Sequence, residues 1–399
     1  ERAMNYAKGL AALLGVFLVI SSASIAQAQS PNANPRAFGK GYPLQATHLP
    51  ASELRDRLLA LDPHVRAKAM HRLKDLVFTS YDLPYIKVDG EGGIFFADDF
   101  GPEPADEYEP SMLPPVGEAL TEGQTFLLHS RPGAPNVIYL DFNGHTFANT
   151  AWGTGPFYGR AYDISGNDTP PWGTNADCAT TPPTVTVSFS TTELARIHEI
   201  WHRVAEDYAP FDVDVTTEEP AAFDRYTGRI LFTDNYDYCG DQMPSYTAGG
   251  VAYVGVFGDS NYHTYTSPAL VYNSGVVGAS EAATHEMGHN LSLGHDGNSS
   301  TGASYYSGHG SDLTSWGPIM GAVYSKHVTQ WSKGDYSLFL QAWSGTYYQQ
   351  DLDDLKWIDC RFALEAGGPN CDTPGVTPTD GLGYAVDDHA DSIAAGATA

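Results

Sequence analysis

The apolar residues change period several times along the chain, and each change marks an element. Leu10 to Ile20 is an unbroken apolar run behind Lys8, followed by small residues and Ala26-Gln27-Ala28. A positive flank, a short apolar core and a small-residue site make the pattern of an export signal, and the run is too short to span a bilayer comfortably. Residues 29 to about 50 are rich in Pro, Ala, Gly and Asn and read as a flexible lead-in. Leu54, Leu58, Leu59 and Leu61, then Val65, Ala69, Leu73 and Val77, recur at near-helical spacing interrupted by Pro63, which predicts helix. Tyr85 to Phe96 alternates around Gly90 and Gly92-Gly93, predicting a strand or two. Residues 99–115 (DFGPEPADEYEPSMLPP) are acidic and Pro-rich and read as a linker, so a boundary is expected near residue 125.

Past that boundary the pattern is that of a mixed domain. Asn136 to Phe142 (NVIYLDF) is a good strand, and Val185 to Phe189 is either a short strand or a lead-in to helix. Ser190-Thr191-Thr192-Glu193 is a capping box, in which Ser190 accepts from first-turn amides and Glu193 reaches back. Leu194, Ile197, Trp201, Val204 and Tyr208 then share one helical face, and Pro210 ends the helix. Val213–Thr217, Arg229–Thr233, Val251–Phe257 and Ala269–Tyr272 read as strands, and Glu281–Leu291 as a second helix. Strand, long helix, several strands and another helix predict an α/β (α+β) sheet domain. The expected division is a signal at 1–28, a leader at 29–125, a main domain at 126–355 and a C-terminal extension at 356–399. In the extension, Gly383 to Asp391 resembles the opening strand of a β-sandwich module.

Charge and cysteines narrow the function. Lys and Arg number 21 against 48 Asp and Glu, a net charge of -27. Phosphate binding needs a positive footprint, so nucleic acid is not an expected partner. No stretch after the signal is long and apolar enough for a membrane span, and an extracellular, monomeric protein is expected. The four cysteines, Cys178, Cys239, Cys360 and Cys371, contain no C-x-x-C pair, so a cysteine zinc site is not expected. An even number in an exported chain predicts two disulfides. Proximity favours Cys360–Cys371, which leaves Cys178–Cys239.

The candidate chemistry lies in His285-Glu286-Met287-Gly288-His289. On a helix His285 and His289 are one turn apart and project from the same face, where two neutral imidazoles can bind one Zn²⁺. Glu286 lies beside that face, where its carboxylate can take a proton from a water that attacks a polarised carbonyl. A catalytic zinc needs a third protein ligand and an open position, whereas a structural zinc is closed by four. His295 is the third candidate, six residues after His289. A continued helix would carry it about 9 Å onward and to another face, so the chain must break and turn back. His145, His198, His202, His263 and His327 have no ligand partner at useful spacing, and His309 is expected to stabilise a loop. Asp163 to Asp168 is a weak candidate for Ca²⁺, without a full ligand loop.

His285 to Asp296 (HEMGHNLSLGHD) resembles the long zinc signature of the metzincin metallopeptidases, and its His-Asp ending resembles the reprolysin/adamalysin branch. Trp316-Gly317-Pro318-Ile319-Met320-Gly321, with Met320 twenty-five residues after His295, is similar to the family's Met-turn beneath the metal. SRPGAPNVIYLDFNGH, IWHRVAEDYAPFDVDVTTEEP, GGVAYVGVFG and PIMGAVYSKHVTQWSKGDY look like stretches of bacterial secreted members, so the similarity covers roughly residues 129–355. The resemblance implies a mixed, mostly parallel twisted sheet, an active-site helix and a C-terminal subdomain carrying the Met-turn. It implies a secreted zinc endopeptidase with His285, His289 and His295 on the metal and Glu286 as general base. A protein or peptide substrate would add as a strand along Gly250–Phe257. The alternative is a secreted binding or adhesion protein that retains the zinc site without proteolysis.

One departure from the family pattern, at Ser292, and three further positions shape the expectations. Ser292 falls where the signature has Gly, in a conformation that costs other residues on the order of 1–2 kcal/mol. A local side-chain hydrogen bond, or a turn moved toward Gly294, would relieve it. Asp296 is the competing third ligand, with His295 favoured by its offset and Asp296 then fixing the helix–loop junction. Ala322 stands where some metzincins place a zinc-touching Tyr, and Tyr324 is too displaced, so no Tyr ligand is expected. No cysteine precedes Cys178, so a cysteine switch is excluded, and Asp98 or Asp99 could cover the zinc as in the astacin branch.

Overall fold

A computed structural model describes residues 37–39, 44–99, 120–163, 178, 187–272, 275–297, 303–332, 354, 358 and 361–362. The expected signal, the acidic linker beyond Asp99, the Cys360–Cys371 pairing and the tail module lie outside them. Among the described residues the N-terminal segment holds β1 (Ala37–Gly39), α1 (Glu53–Ala60), α2 (Pro63–Asp75), β2 (Val77–Thr79), β3 (Ile86–Val88) and β4 (Ile94–Asp98). The expected interruption falls between Ala60 and Pro63, and Pro63 opens α2 at the first turn, where its missing N–H costs nothing and the Asp62 side chain caps His64. Leu54, Leu58, Leu73, Phe78, Ile86 and Phe96 close a small core of this segment.

Next come α3 (Glu122–Thr125), β5 (Asn136–Asp141), the hairpin β6 (His145–Phe147) and β7 (Phe157–Gly159), α4 (Thr191–Asp207), β8 (Val213–Thr216) and β9 (Thr227–Phe232). After these stand β10 (Gly250–Tyr253), β11 (Ala269–Val271), α5 (Val276–Asn290), β12 (Trp316–Pro318) and β13 (Val328–Gln330). The capping box at Ser190 and Glu193 forms as expected, with both reciprocal bonds made. Residues 187–190 are irregular, so the stretch before α4 is a lead-in to the helix. The helix α5 begins at Val276, five residues before the expected start at Glu281. Its Ala, Gly and Ser residues carry no amphipathic stripe because nearly every position is buried, and periodicity has nothing to read there.

The main sheet has the order β3-β4-β10-β11-β9-β5-β8. Within the C-terminal part, β11, β9, β5 and β8 are parallel and β10 is antiparallel to β11. The strands β3 and β4 of the N-terminal segment extend this same sheet, with β4 antiparallel to β10 and Asp98 opposite Gly250. Helices α4 and α5 pack together on the core of Ile138, Leu140, Ile197, Val204, Ala283 and Met287. A bond of 2.6 Å from Thr284 Oγ1 to Asp207 Oδ2 ties the two helices. Cys178 and Cys239 form the expected disulfide. No helix of the described residues is long and apolar enough to cross a membrane.

Candidate metal centre

The three histidines converge because α5 stops where it does. Leu291 caps the helix and Ser292 follows at φ 81°. The Ser292 amide donates to the His289 carbonyl (2.9 Å) and the Leu293 amide to the Gly288 carbonyl (3.0 Å). These two bonds make a Schellman ending, which satisfies orphan carbonyls and reverses the chain. The turn is not moved to Gly294. Ser292 Oγ is buried without a hydrogen-bond partner among the described residues, so none of them offsets the left-handed backbone. Beyond the turn, the Asp296 amide donates to the Met320 carbonyl (2.8 Å), fixing His295 against the Met-turn. His295, not Asp296, therefore joins the cluster.

Backbone contacts set the imidazole tautomers. His285 Nδ1 lies 2.9 Å from the Ile319 carbonyl, in the Met-turn, and His289 Nδ1 lies 2.9 Å from the Leu293 carbonyl. A carbonyl only accepts, so each Nδ1 carries the proton and each Nε2 offers its lone pair. Met320 is fully buried below, and a Cβ on Gly288 would meet its Sδ at 2.6 Å, so glycine is what lets helix and turn close up.

The fourth member comes from β4. Asp98 Oδ2 stands 3.0 Å from His289 Nε2 and 3.5 Å from His285 Nε2, and Oδ1 stands 3.1 Å from His295 Nε2. Asp98 with His285, His289 and His295 forms a fully buried group with ligand atoms within 4.8 Å of one another. Of the two leader aspartates considered from sequence, Asp98 is the one that reaches the site, and Asp99 is exposed. The three expected histidines are all in this group, and Asp98 joins them from the N-terminal segment.

This donor set fits a divalent cation. Lone pairs of two neutral imidazoles aimed at a buried carboxylate repel unless a proton or a cation lies between them. His295 has neither ring nitrogen in good hydrogen-bond geometry despite its closeness to Asp98 and to Asp82, 3.6 Å from Nδ1. Without a cation, burial pulls His289 down to about 4, and Asp98 and Asp82 outweigh burial to lift His295 to about 9. Burial alone would raise Asp98, but the surrounding imidazoles, His295 foremost, hold it well below the carboxylate range.

Glu286 lies against β10 under Gly250, fully buried, and neither of its carboxylate oxygens has a hydrogen-bond partner among the described residues. Burial first, and the Asp98 charge second, raise it well above its ordinary value.

Sequence reasoning missed two residues here. Tyr305 donates to Asp98 Oδ1 (2.8 Å), and its ring lies 4.4 Å from that of His295. This Tyr arrives from the loop before the Met-turn. Phe96 stacks on His289 at 4.2 Å with planes 9° apart. Neither belongs to a spacing motif, so only the folded chain reveals them. His309 takes the loop role expected of it, pairing by backbone with Trp316. The group of Asp98, His285, His289 and His295 is the one among the described residues that could hold a metal ion, and residues 164–168 of the weak Ca²⁺ candidate lie outside the described residues.

No curated protein and no solved structure gives a match to the chain. Residues 188–296, from just before α4 to the residue after His295, match the family model described as Metallo-peptidase family M12B Reprolysin-like. The mixed sheet and the buried group of three histidines and Asp98 are consistent with that reprolysin-like match, which spans the two long helices and the strands between them.

Proposed function

We propose that the chain is the latent form of a secreted zinc endopeptidase. The observation that carries this is Asp98, a carboxylate of the N-terminal segment standing where three imidazoles converge. His285, His289 and His295 would hold Zn²⁺, which when bound polarises a peptide carbonyl and lowers the pKa of a water to about 7. Glu286 would take the proton of the attacking water and return it to the leaving amine. Its dry position beside Gly250 makes it a stronger base than an exposed carboxylate.

A protein or peptide substrate would lie along β10 as an added strand, held by main-chain bonds. The strand β4 occupies that place, so it must leave before hydrolysis, and the N-terminal segment acts as an inhibitory propeptide. Export follows from the signal-like sequence at residues 1–28 and fits the Cys178–Cys239 disulfide, which persists in oxidising surroundings. The strong negative charge disfavours nucleic acid, and the working unit is taken as a monomer.

One observation favours a second reading. Four protein groups close the site, as in a structural zinc, and a secreted binding or adhesion protein could use it so. Glu286 has no task in that reading, because a buried carboxyl without partners only destabilises. Zinc analysis and N-terminal sequencing of the secreted form, with casein hydrolysis by wild type and Glu286→Gln, separate the two. Zinc in both proteins and a loss of about 10²-fold or more in the variant are expected. Zinc with no hydrolysis by any processed form would establish the binding protein.

A further inference from the structure

The strand that covers the metal centre also shows what the cleft is built to accept. Along β4, Ile94, Phe96 and Asp98 are buried, while Phe95 and Ala97, on the opposite face, are half-buried. Phe95 sits opposite Tyr253 in the ladder. Its ring centre lies 5.3 Å from that of Tyr253 and 5.5 Å from that of Trp152, edge-on to the indole at 77°. Trp152 and Tyr253 are themselves 4.5 Å apart, so they form two walls of one notch.

Both walls are held from outside the N-terminal segment. Trp152 Nε1 donates to the Pro268 carbonyl (2.9 Å), and the Tyr253 hydroxyl lies 2.9 Å from the Ala151 carbonyl. Besides the ladder and the close approach of Gly93, the segment adds one side-chain hydrogen-bond partner, Asp89 Oδ2 at 3.0 Å from that hydroxyl. Phe95 takes no part in the small core of its own segment and packs instead on the clusters around β10. A side chain outside its own segment's core, packed against two aromatic rings of the domain it covers, behaves as a ligand of that domain. With β4 gone, the notch keeps its shape and loses its filling.

We propose that Trp152 and Tyr253 form a substrate subsite for an aromatic or large aliphatic side chain, and that Phe95 fills it in the latent chain. This rests on the peptidase reading, with substrate taking the direction and register of β4. In that register the residue in the place of Asp98 flanks the scissile bond. The subsite then takes the residue three positions earlier, the third or fourth before the cut, according to the side of the bond on which Asp98's counterpart falls.

A peptide library from a digested proteome, offered to the processed, zinc-loaded enzyme and read by mass spectrometry, tests this. Phe, Tyr, Trp or Leu should be enriched at one of those two positions, about three- to ten-fold over Ala or Asp, the scale of buried aromatic pairs. Trp152→Ala should flatten that preference and leave those at other positions in place. In the intact chain, Phe95→Ala and Trp152→Ala should each speed amide exchange in β10, and the double variant should add little to either. Cleavage with a flat profile at both positions, an unchanged profile in Trp152→Ala, or additive exchange effects would overturn the subsite and leave the peptidase standing. Absence of any cleavage would overturn the peptidase reading and the subsite with it.

Discussion

Gly250 lies so close to Glu286 that a Cβ on the glycine would collide with the carboxylate Oε1. The bare backbone of β10 is thus part of the wall that positions the proposed base. Gly250→Ala should push the carboxyl aside. A displacement of about 1 Å near a reacting centre costs about 10²-fold in rate, so kcat/KM of the processed enzyme should fall by that order while zinc content stays unchanged. An alanine variant with wild-type kcat/KM would show that Glu286 is not held by this wall.

Asp98 is the link between the N-terminal segment and the histidines. Asp98→Asn in the unprocessed chain should raise basal peptide hydrolysis by about ten-fold, since hydrogen bonds and pairings to charged groups contribute about 1.5–3 kcal/mol. Release should be partial, because the ladder of β4 on β10 remains. Asp99→Ala, at an exposed position, should change nothing. Equal hydrolysis by the Asn variant and its parent would remove Asp98 from the latency mechanism. Tyr305→Phe deletes the 2.8 Å bond to Asp98 and should loosen β4 in amide exchange of the zinc-free chain.

Ser292 carries the helix ending at φ 81° with no side-chain bond among the described residues to offset it. Ser292→Gly should therefore stabilise by about 1 kcal/mol, a rise of roughly 2–4 °C in melting temperature for a domain of this size. Melting curves of the two proteins decide it. A lower melting temperature for the glycine variant would mean that chain entropy outweighs the relief of strain.

Much of the site was legible in the sequence because its chemistry is local. His285, Glu286 and His289 follow from helical spacing, and Ser190 with Glu193 from capping. His295 needed only a chain reversal six residues on. What the sequence hid is non-local. Asp98 and Gly250 become neighbours through a strand ladder between segments about 150 positions apart, which no periodicity records. Tyr305 reaches the centre from an irregular loop, and α5 extends to Val276 through a stretch whose uniform burial erases the amphipathic signal. The sheet order surprised for the same reason, since two strands of the leader complete it.

His129 offers a pH test far from the metal. Its Nδ1 lies 2.7 Å from Asp214 and its Nε2 2.7 Å from Glu218, so both nitrogens face carboxylates. Burial pulls its pKa down, but the two carboxylates outweigh burial and the net shift is upward from 6.5. A raised folded-state value means that the contribution is complete below 6.5 and fades as pH rises through the folded pKa. The urea midpoint of wild type should exceed that of His129→Gln at pH 6, and the gap should close by pH 9. A gap that persists at pH 9 would assign the effect to packing instead of charge.

While β4 is in place, β10 is an interior strand with a hydrogen-bonded neighbour on each side. Losing the N-terminal segment would turn it into a raw edge beside a hydrolytic centre. Such an edge does not distinguish a substrate from a strand of another copy. On the proposed reading, activation would thus trade protection against self-association for access, and the N-terminal segment would guard against aggregation as well as against hydrolysis.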